Sequence, residues 1–371
     1  MSIGSIVARL NQEPLTHLML GHRELFHSNL LAWFFRCLPD VADAVFGPLA
    51  GIVDLKQNDN RIVLREKNNL DLVFQWSNHR TLVIENKVFS LPDEDQLEAY
   101  ASTAGSIDES SVLYLLSLSN PGWLGGRKEI GGKEWQWISY RDLAQRIRSS
   151  LASSDLTYEA ETMRRYSLVV ELLSDLVDHV VVMDSGEMVH LPTDVSDALG
   201  DDKLASTMAK FRARSVANRI KQALYTSGIS IGTVKSSLTN ALPLIEWFCE
   251  ANRAPGSRTG WQLQGSQFRL ALIAPHLSGR TPSDRQARFE FAKLNEDLFD
   301  FSPLDQILGT QGVEVKPLPK PNSPLGFNRY DPDFVYRYKP TPRITVAQLE
   351  AAAVAIACHV LQGAIAITKS I

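Results

Sequence analysis

Cysteine is scarce in this chain: Cys37, Cys249 and Cys358 are the only three in 371 residues, far apart and odd in number. No CxxC pair and no metal-ligand spacing joins them, which argues against a disulfide framework and against a zinc finger. A reducing cytoplasm is therefore the expected compartment. Long uncharged apolar runs are missing too, apart from "AAAVAIACHVLQGAIAIT" at Ala351 to Thr368. That run is mostly alanine, is interrupted by His359, Gln362 and Gly363, and reads as a buried C-terminal helix rather than a membrane span. The opening "MSIGSIVARLNQEP" has too short an apolar stretch for a signal peptide, so no membrane association is expected. There is no GxxxxGK[ST] and no GxGxxG to suggest nucleotide binding.

What is present suits a two-domain globular protein, since 371 residues with 44% apolar composition exceed the usual single-domain size. The turn-rich "MDSGEMVHLPTD" marks the expected boundary, giving domains at 1–183 and 184–371. The net charge of −4 hides an asymmetry. Ser153 to Asp202 holds twelve acids against Arg164 and Arg165. Lys203 to Ile245 then carries Lys203, Lys210, Arg212, Arg214, Arg219, Lys221 and Lys235 and no acid. Lys210, Arg212, Arg214, Arg219 and Lys221 are candidates for a nucleic-acid-binding face, and solvated helix faces neutralising one another are the competing reading.

The first half patterns as helix, three strands, helix, strand, then strand and helix. "HRELFHSNLLAWFFRCL" repeats apolar residues at helical spacing. "RIVLRE", "LDLVFQW" and "TLVIENKV" read as a three-strand meander. "LPDEDQLEAYA" has the proline and acids of a helix N-terminus, and "SVLYLLSLS" is a buried strand. A loop of three residues, Ser77 to His79, sets Trp76 against Arg80 and therefore Asp71 against Glu85 on one sheet face. Period-two alternation puts Lys87 on that face and turns Asn86 away. Burying two acids and a lysine is costly unless something compensates. The pattern is open between a salt bridge at the sheet end and a divalent-cation site in which Lys87 attends the attacking water. Gln96 and Tyr100, at i and i+4, present an amide and a phenol from the next helix. Glu24, one turn before His27 and Ser28, offers a further carboxylate.

Taken together and in this order, these residues resemble the PD-(D/E)xK nuclease superfamily. The closest likeness is to a bacterial branch with ExK and QxxxY motifs. The resemblance implies a restriction-endonuclease-like αβββαβ core with a mixed sheet, in an α/β chain with a C-terminal α+β domain of unrecognised fold. It assigns Glu24 as the first-helix acid, Asp71 as the metal-binding aspartate, Glu85 and Lys87 as the ExK pair, and Gln96 and Tyr100 as the QxxxY helix. Glu66 aligns with a glutamate that serves as a secondary ligand. The implied metal is Mg2+, with Mn2+ as substitute, held by Asp71, Glu85 and Glu24. The implied activity is phosphodiester hydrolysis, in DNA by preference, in defence against foreign DNA. The literal proline before the aspartate is replaced by Asn69-Leu70, which touches no ligand.

The second half resembles no family. "GWQLQGSQFRLALIAPHL" and "DPDFVYRYKP" look like strands, and "DRQARFEFAKLNEDLFDF" looks helical. "KPLPKPNSPLGFNRYDP" is a proline-rich loop with Lys316, Lys320 and Arg329. In "FNRYDPDFVYRYK", Tyr330, Tyr336, Arg337 and Lys339 suit either base stacking with phosphate neutralisation or an amphipathic edge strand. Beside the nuclease stand two alternatives: a nucleic-acid-binding module whose cleavage is weak or partner-dependent, and a regulatory or assembly protein on a nuclease scaffold. A homodimer or a partner protein bound through the C-terminal domain belongs with these readings.

Overall fold

The computed structural model describes all residues except 54–59, 153–155, 183, 201, 240–241, 311–325 and 369–371, and side chains except also those of 20–24, 202, 238–239, 310 and 362–368. The chain forms two compact units, Met1–Val180 with Asp197–Asp201, and Val181–Ser196 with Asp202–Ile371.

The first unit opens with α1 (Ile3–Gln12), α2 (Pro14–Cys37) and α3 (Pro39–Phe46). Pro14 and Pro39 begin the second and third helices, where a missing N–H costs nothing. Then come β1 (Arg61–Lys67), β2 (Leu70–Trp76), β3 (Leu82–Lys87), α4 (Glu94–Ile107), β4 (Val112–Ser117), β5 (Arg127–Ile130), β6 (Lys133–Ser139), α5 (Tyr140–Leu151) and α6 (Tyr158–Val180). The sheet order is β1-β2-β3-β4-β6-β5. The first three strands are antiparallel neighbours, whereas β3, β4 and β6 run parallel. This is the mixed sheet of the expected αβββαβ core, with two additions: helices ahead of it and the β5–β6 hairpin closing its far edge.

Both sheet faces are covered, which is why β2, β3 and β4 are buried almost throughout. On one face Val73, Val83, Leu113, Leu115 and Trp135 pack against Leu97, Ala101 and Ala104 of α4. The other face stacks Phe74 on Phe46 at 4.5 Å between ring centroids and sets it at a tilt against Phe35 at 4.8 Å. Asp93 caps α4, accepting the Asp95 N–H at 3.1 Å, and Glu94 and Asp95 occupy its first turn. The helix is thereby fixed at the point where the chain leaves β3.

The second unit contains α8 (Asp202–Thr226), preceded in the chain by α7 (Thr193–Leu199). It continues with β7 (Thr233–Thr239), β8 (Leu242–Glu250), β9 (Arg258–Gln264), β10 (Gln267–Ile273), α9 (Pro282–Leu294), α10 (Ser302–Thr310), β11 (Asn328–Tyr330), β12 (Phe334–Pro340) and α11 (Val346–Thr368). Its six strands are wholly antiparallel in the order β11-β12-β10-β9-β8-β7, so it is an α+β unit. The core joins Trp247, Trp261 and Phe268 to Val216, Ile220, Leu304 and Leu349. "DPDFVYRYKP" forms β12, but as the second strand of the sheet; the edge position belongs to the three-residue β11. Lys316 and Lys320 lie outside the described residues. The alanine-rich run is α11, and no helix among the described residues is long and apolar enough to cross a membrane.

Candidate active site

The pairing of β2 with β3 sets Leu72 opposite Ile84 and Phe74 opposite Leu82, and the same register carried one residue further sets Asp71 opposite Glu85. The Asp71 carboxylate accepts the backbone N–H of Asn86 at 2.8 Å. Lys87, two residues beyond Glu85, donates from Nζ to Glu85 Oε1 at 2.8 Å. Glu85 is 2% exposed and its second oxygen, Oε2, is buried with no hydrogen-bond partner. Two carboxylates and an ammonium thus converge at the C-terminal end of β3, as the loop parity predicts.

The electrostatics follow from that crowding. Burial raises the Glu85 carboxyl to about 8, with the negative charge of Asp71 adding to the rise and Lys87 opposing it. Asp71 is raised as well, by burial first, with Glu66 contributing, against the pull of the Asn86 N–H and Lys87. Burial works against the Lys87 ammonium, yet Glu85 and Asp71 carry its pKa upward overall. One lysine therefore does not neutralise the pair, and a second positive charge would be welcomed.

Asn86 points to the opposite face, as alternation requires, and is completely buried. Its amide donates to Ser28 Oγ of α2 at 3.1 Å and its carbonyl oxygen accepts from the Tyr140 hydroxyl at the start of α5. Beyond it, the His27 Nδ1 and the Tyr166 hydroxyl of α6 are bonded at 2.9 Å, with His27 packed 5.5 Å from the Tyr140 ring. All five residues are at most 1% exposed. The middle residue of the Glu-Asn-Lys triplet thus ties the strand to α2 and α5, with His27 joining α2 to α6 behind it, while its neighbours face the site. Tyr140 and Tyr166 escaped the sequence reading; the one clue was an asparagine turned away from the acids and lysine, onto the buried opposite face of β3.

From α4, the Gln96 amide donates to the Tyr100 hydroxyl. Burial and the charge of Glu85 raise the Tyr100 phenol, and Lys87 and Asp71 also act on it, so the Gln-Tyr pair stands beside the acids and lysine. Glu66, exposed with φ of 52°, lies at the β1 end between the pairs Arg65 with Leu72 and Lys67 with Leu70. Glu24 is on α2, but its side chain lies outside the described residues. Among the described residues no group of three acid, His or Cys side chains converges as a ready-made metal site.

A divalent cation fits the donors that are present. Asp71 and Glu85 supply hard oxygens, one of them a buried oxygen with no partner, and both carboxyls are held in a protonation-prone state that a cation would reverse.

The basic run of α8 departs from its expected role. Arg212 is 3% exposed, bonded to the Met188 and Val189 carbonyls and paired with Glu187 at 3.1 Å. Arg219 pairs with Glu350 at 2.7 Å and also donates to Ser185 Oγ. Neither guanidinium is presented to a phosphate, because the apolar seam of α8 turns both toward the rest of its unit. Lys210 and Arg214 are part-exposed and Lys221 is exposed.

The family model for the PD-(D/E)XK nuclease superfamily matches residues 14–167, a span containing every site residue named above except those of α8. No curated protein and no solved structure matches the chain.

Proposed function

We propose that this protein is a Mg2+-dependent deoxyribonuclease, a reading supported by the match of residues 14–167 to the family model of the PD-(D/E)XK nuclease superfamily, whose members are generally metal-using phosphodiester nucleases. Its catalytic residues are Asp71, Glu85 and Lys87, supported by Glu24, Gln96 and Tyr100. The observation that carries the reading is the buried oxygen of Glu85, unpartnered beside Asp71 and two residues along the strand from Lys87.

Asp71 and Glu85 would hold the metal, with Glu24 as a further ligand, and Mn2+ would substitute. Once bound, such a cation polarises the phosphodiester and lowers the pKa of coordinated water. The Asn86 N–H fixes the Asp71 carboxylate, so that oxygen is oriented before any ligand arrives. Lys87 places a positive charge where the attacking oxygen and the phosphate meet, and burial strengthens its effect there. Gln96 and Tyr100 give hydrogen bonds from α4 to a phosphate or to Lys87. Lys210, Arg214 and Lys221 are the α8 cations retained as contacts to the nucleic-acid backbone. Defence against foreign DNA is the role proposed with this activity.

The test is a substrate panel of supercoiled plasmid, linear duplex, single-stranded DNA and RNA, each with Mg2+, Mn2+ or EDTA. Cleavage of DNA that needs the metal is the expected result. Cleavage of RNA alone would replace the substrate, and full activity in EDTA would end the reading. A binding module with partner-dependent cleavage is the result to accept if DNA is bound but never cut.

A further inference from the structure

The second unit places its helices on one side of its sheet. Its core contains the inward residues of every long strand, among them Ile245, Trp247, Trp261, Leu263, Phe268, Leu270 and Val335. The alternate residues point the other way. Among the described residues of this unit, Phe248, Phe334, Tyr336 and Tyr338 are part-exposed and do not belong to that core or to the side chains packed on it.

Strand register sorts that outer face into bands. One row crosses the sheet as Lys235, Glu246, Gln262, Arg269 and Tyr338. The next is Phe248, Gly260, Ala271 and Tyr336, with Arg258, Ile273, Phe334 and Tyr330 beyond it. An aromatic band thus lies beside a band of cations and amides. Its rings touch one another: Phe248 to Phe334 at 6.1 Å, Phe334 to Tyr336 at 5.7 Å and Tyr336 to Tyr338 at 6.4 Å between centroids. The Arg269 guanidinium sits 4.7 Å over the Tyr336 ring, held by two bonds to Gln267 Oε1 at 3.1 and 2.7 Å. Of the two acids on this face, Glu246 accepts from Gln262 at 2.6 Å and Glu250 lies opposite Arg258.

The alternation in β12 explains why the cations of "FVYRYK" are not part of the face. Arg337 pairs inward with Glu296 at 2.8 Å, and Lys339 pairs with Asp305. The tyrosines are left outward beside Arg269 of the neighbouring β10, with Arg258 two strands and Lys235 four strands away across the same face. Rings stack on any unpaired base, and neighbouring cations neutralise the phosphates, whereas a duplex hides its base faces.

We propose that this open sheet face binds single-stranded nucleic acid, with bases stacked on Phe248, Phe334, Tyr336 and Tyr338 and phosphates following Arg269, Lys235 and Arg258. The inference is separate from the nuclease reading, because the binding needs neither metal nor cleavage.

The experiment is fluorescence anisotropy in EDTA, using the full chain with Asp71→Asn and labelled oligothymidylate, oligouridylate and a duplex. The protein is expected to prefer the single strands. The Tyr336→Ala/Tyr338→Ala variant is expected to bind them about tenfold more weakly or worse, while Tyr336→Phe/Tyr338→Phe binds as its parent does. Arg269→Ala/Lys235→Ala should flatten the salt dependence, since fewer counterions are released. Circular dichroism melts of each variant establish that the fold persists. Equal binding by the alanine variant, no single-strand binding at low salt, or a homodimer in sedimentation that the alanine pair dissolves would each overturn the proposal. Any of these leaves metal-dependent cleavage by the first unit unaffected.

Discussion

Glu85 is an acid placed where an acid is least comfortable, and its discomfort is measurable. With its carboxyl raised well above the usual carboxylate range, by burial first and by the charge of Asp71, it holds its proton to a higher pH than a free glutamate does, and a cation must displace that proton. Metal affinity is therefore expected to climb as pH rises through the range in which Glu85 gives up its proton, and to level off above it. Calorimetry in two buffers of different ionisation enthalpy should show close to one proton released near neutrality. Glu85→Gln should abolish that release; an affinity independent of pH would contradict the assignment. Lys87 acts differently, on charge at the phosphate. Lys87→Ala is expected to slow cleavage by about two to three orders of magnitude while leaving metal affinity within a few-fold.

That much of the site was legible from residues alone, because strand alternation is local. A three-residue loop fixes which side chains oppose one another, and a polar triplet at the end of an apolar strand shows which do not belong to the core. The partners of Asn86 were not legible. Ser28 and Tyr140 are 58 and 54 residues away in sequence, and no local pattern announces a contact closed by the packing of α2 and α5 on β3.

At the scale of the element, β3 is held from behind by the Asn86, Tyr140, Tyr166 and His27 assembly. His27 is wholly buried and its pKa is pushed down by burial to about 3. A base depressed in the native state stabilises above its unfolded pKa, and that stability is lost as pH falls from about 6.5 toward 3. Between pH 7 and 5 the loss should approach about 2 kcal/mol, and His27→Gln should show a correspondingly shallower acid dependence in denaturant melts. Parallel curves for the two proteins would refute this.

In the second sheet, Gly260 faces a different constraint. A Cβ there would come 1.9 Å from the Trp247 carbonyl oxygen and 2.9 Å from Phe248 Cα. Gly260→Ala is expected to cost about 3 kcal/mol or more, because backbone rather than a flexible side chain stands in the way. A melt unchanged by the substitution would be the contrary result.

The helix α8 shows how charge counting fails at this scale. Composition found seven cations and no acid between Lys203 and Ile245, but the seam of the helix decides which of them reach solvent. Arg212 and Arg219 find their acids at Glu187 and Glu350, which lie outside that run. The same reasoning covers β12, whose cations turn inward to Glu296 and Asp305 while its tyrosines stay outside.

For the whole molecule, the two compact units have separate sheets and separate cores. Heating is expected to unfold them in two transitions, and divalent metal should raise only the one that Asp71→Asn alters. A single transition raised as a whole would contradict independent units. The αβββαβ order was readable because its strands are short and bounded by their own turns and α4 carries its own cap at Asp93. The second sheet was harder, since its topology depends on pairing β12 with β10, across the intervening α9 and α10, and sequence spacing says little about which distant strands meet.

Asp71 and Glu85 are held together as oxygen ligands for one divalent cation, and everything proposed for catalysis depends on that. Titration with Mn2+ followed by electron paramagnetic resonance measures it without reference to any substrate. The wild type is predicted to take up the ion in a saturable, protein-bound state that Asp71→Asn and Glu85→Gln each lose while remaining folded. Mn2+ uptake left unchanged by both substitutions would contradict the claim.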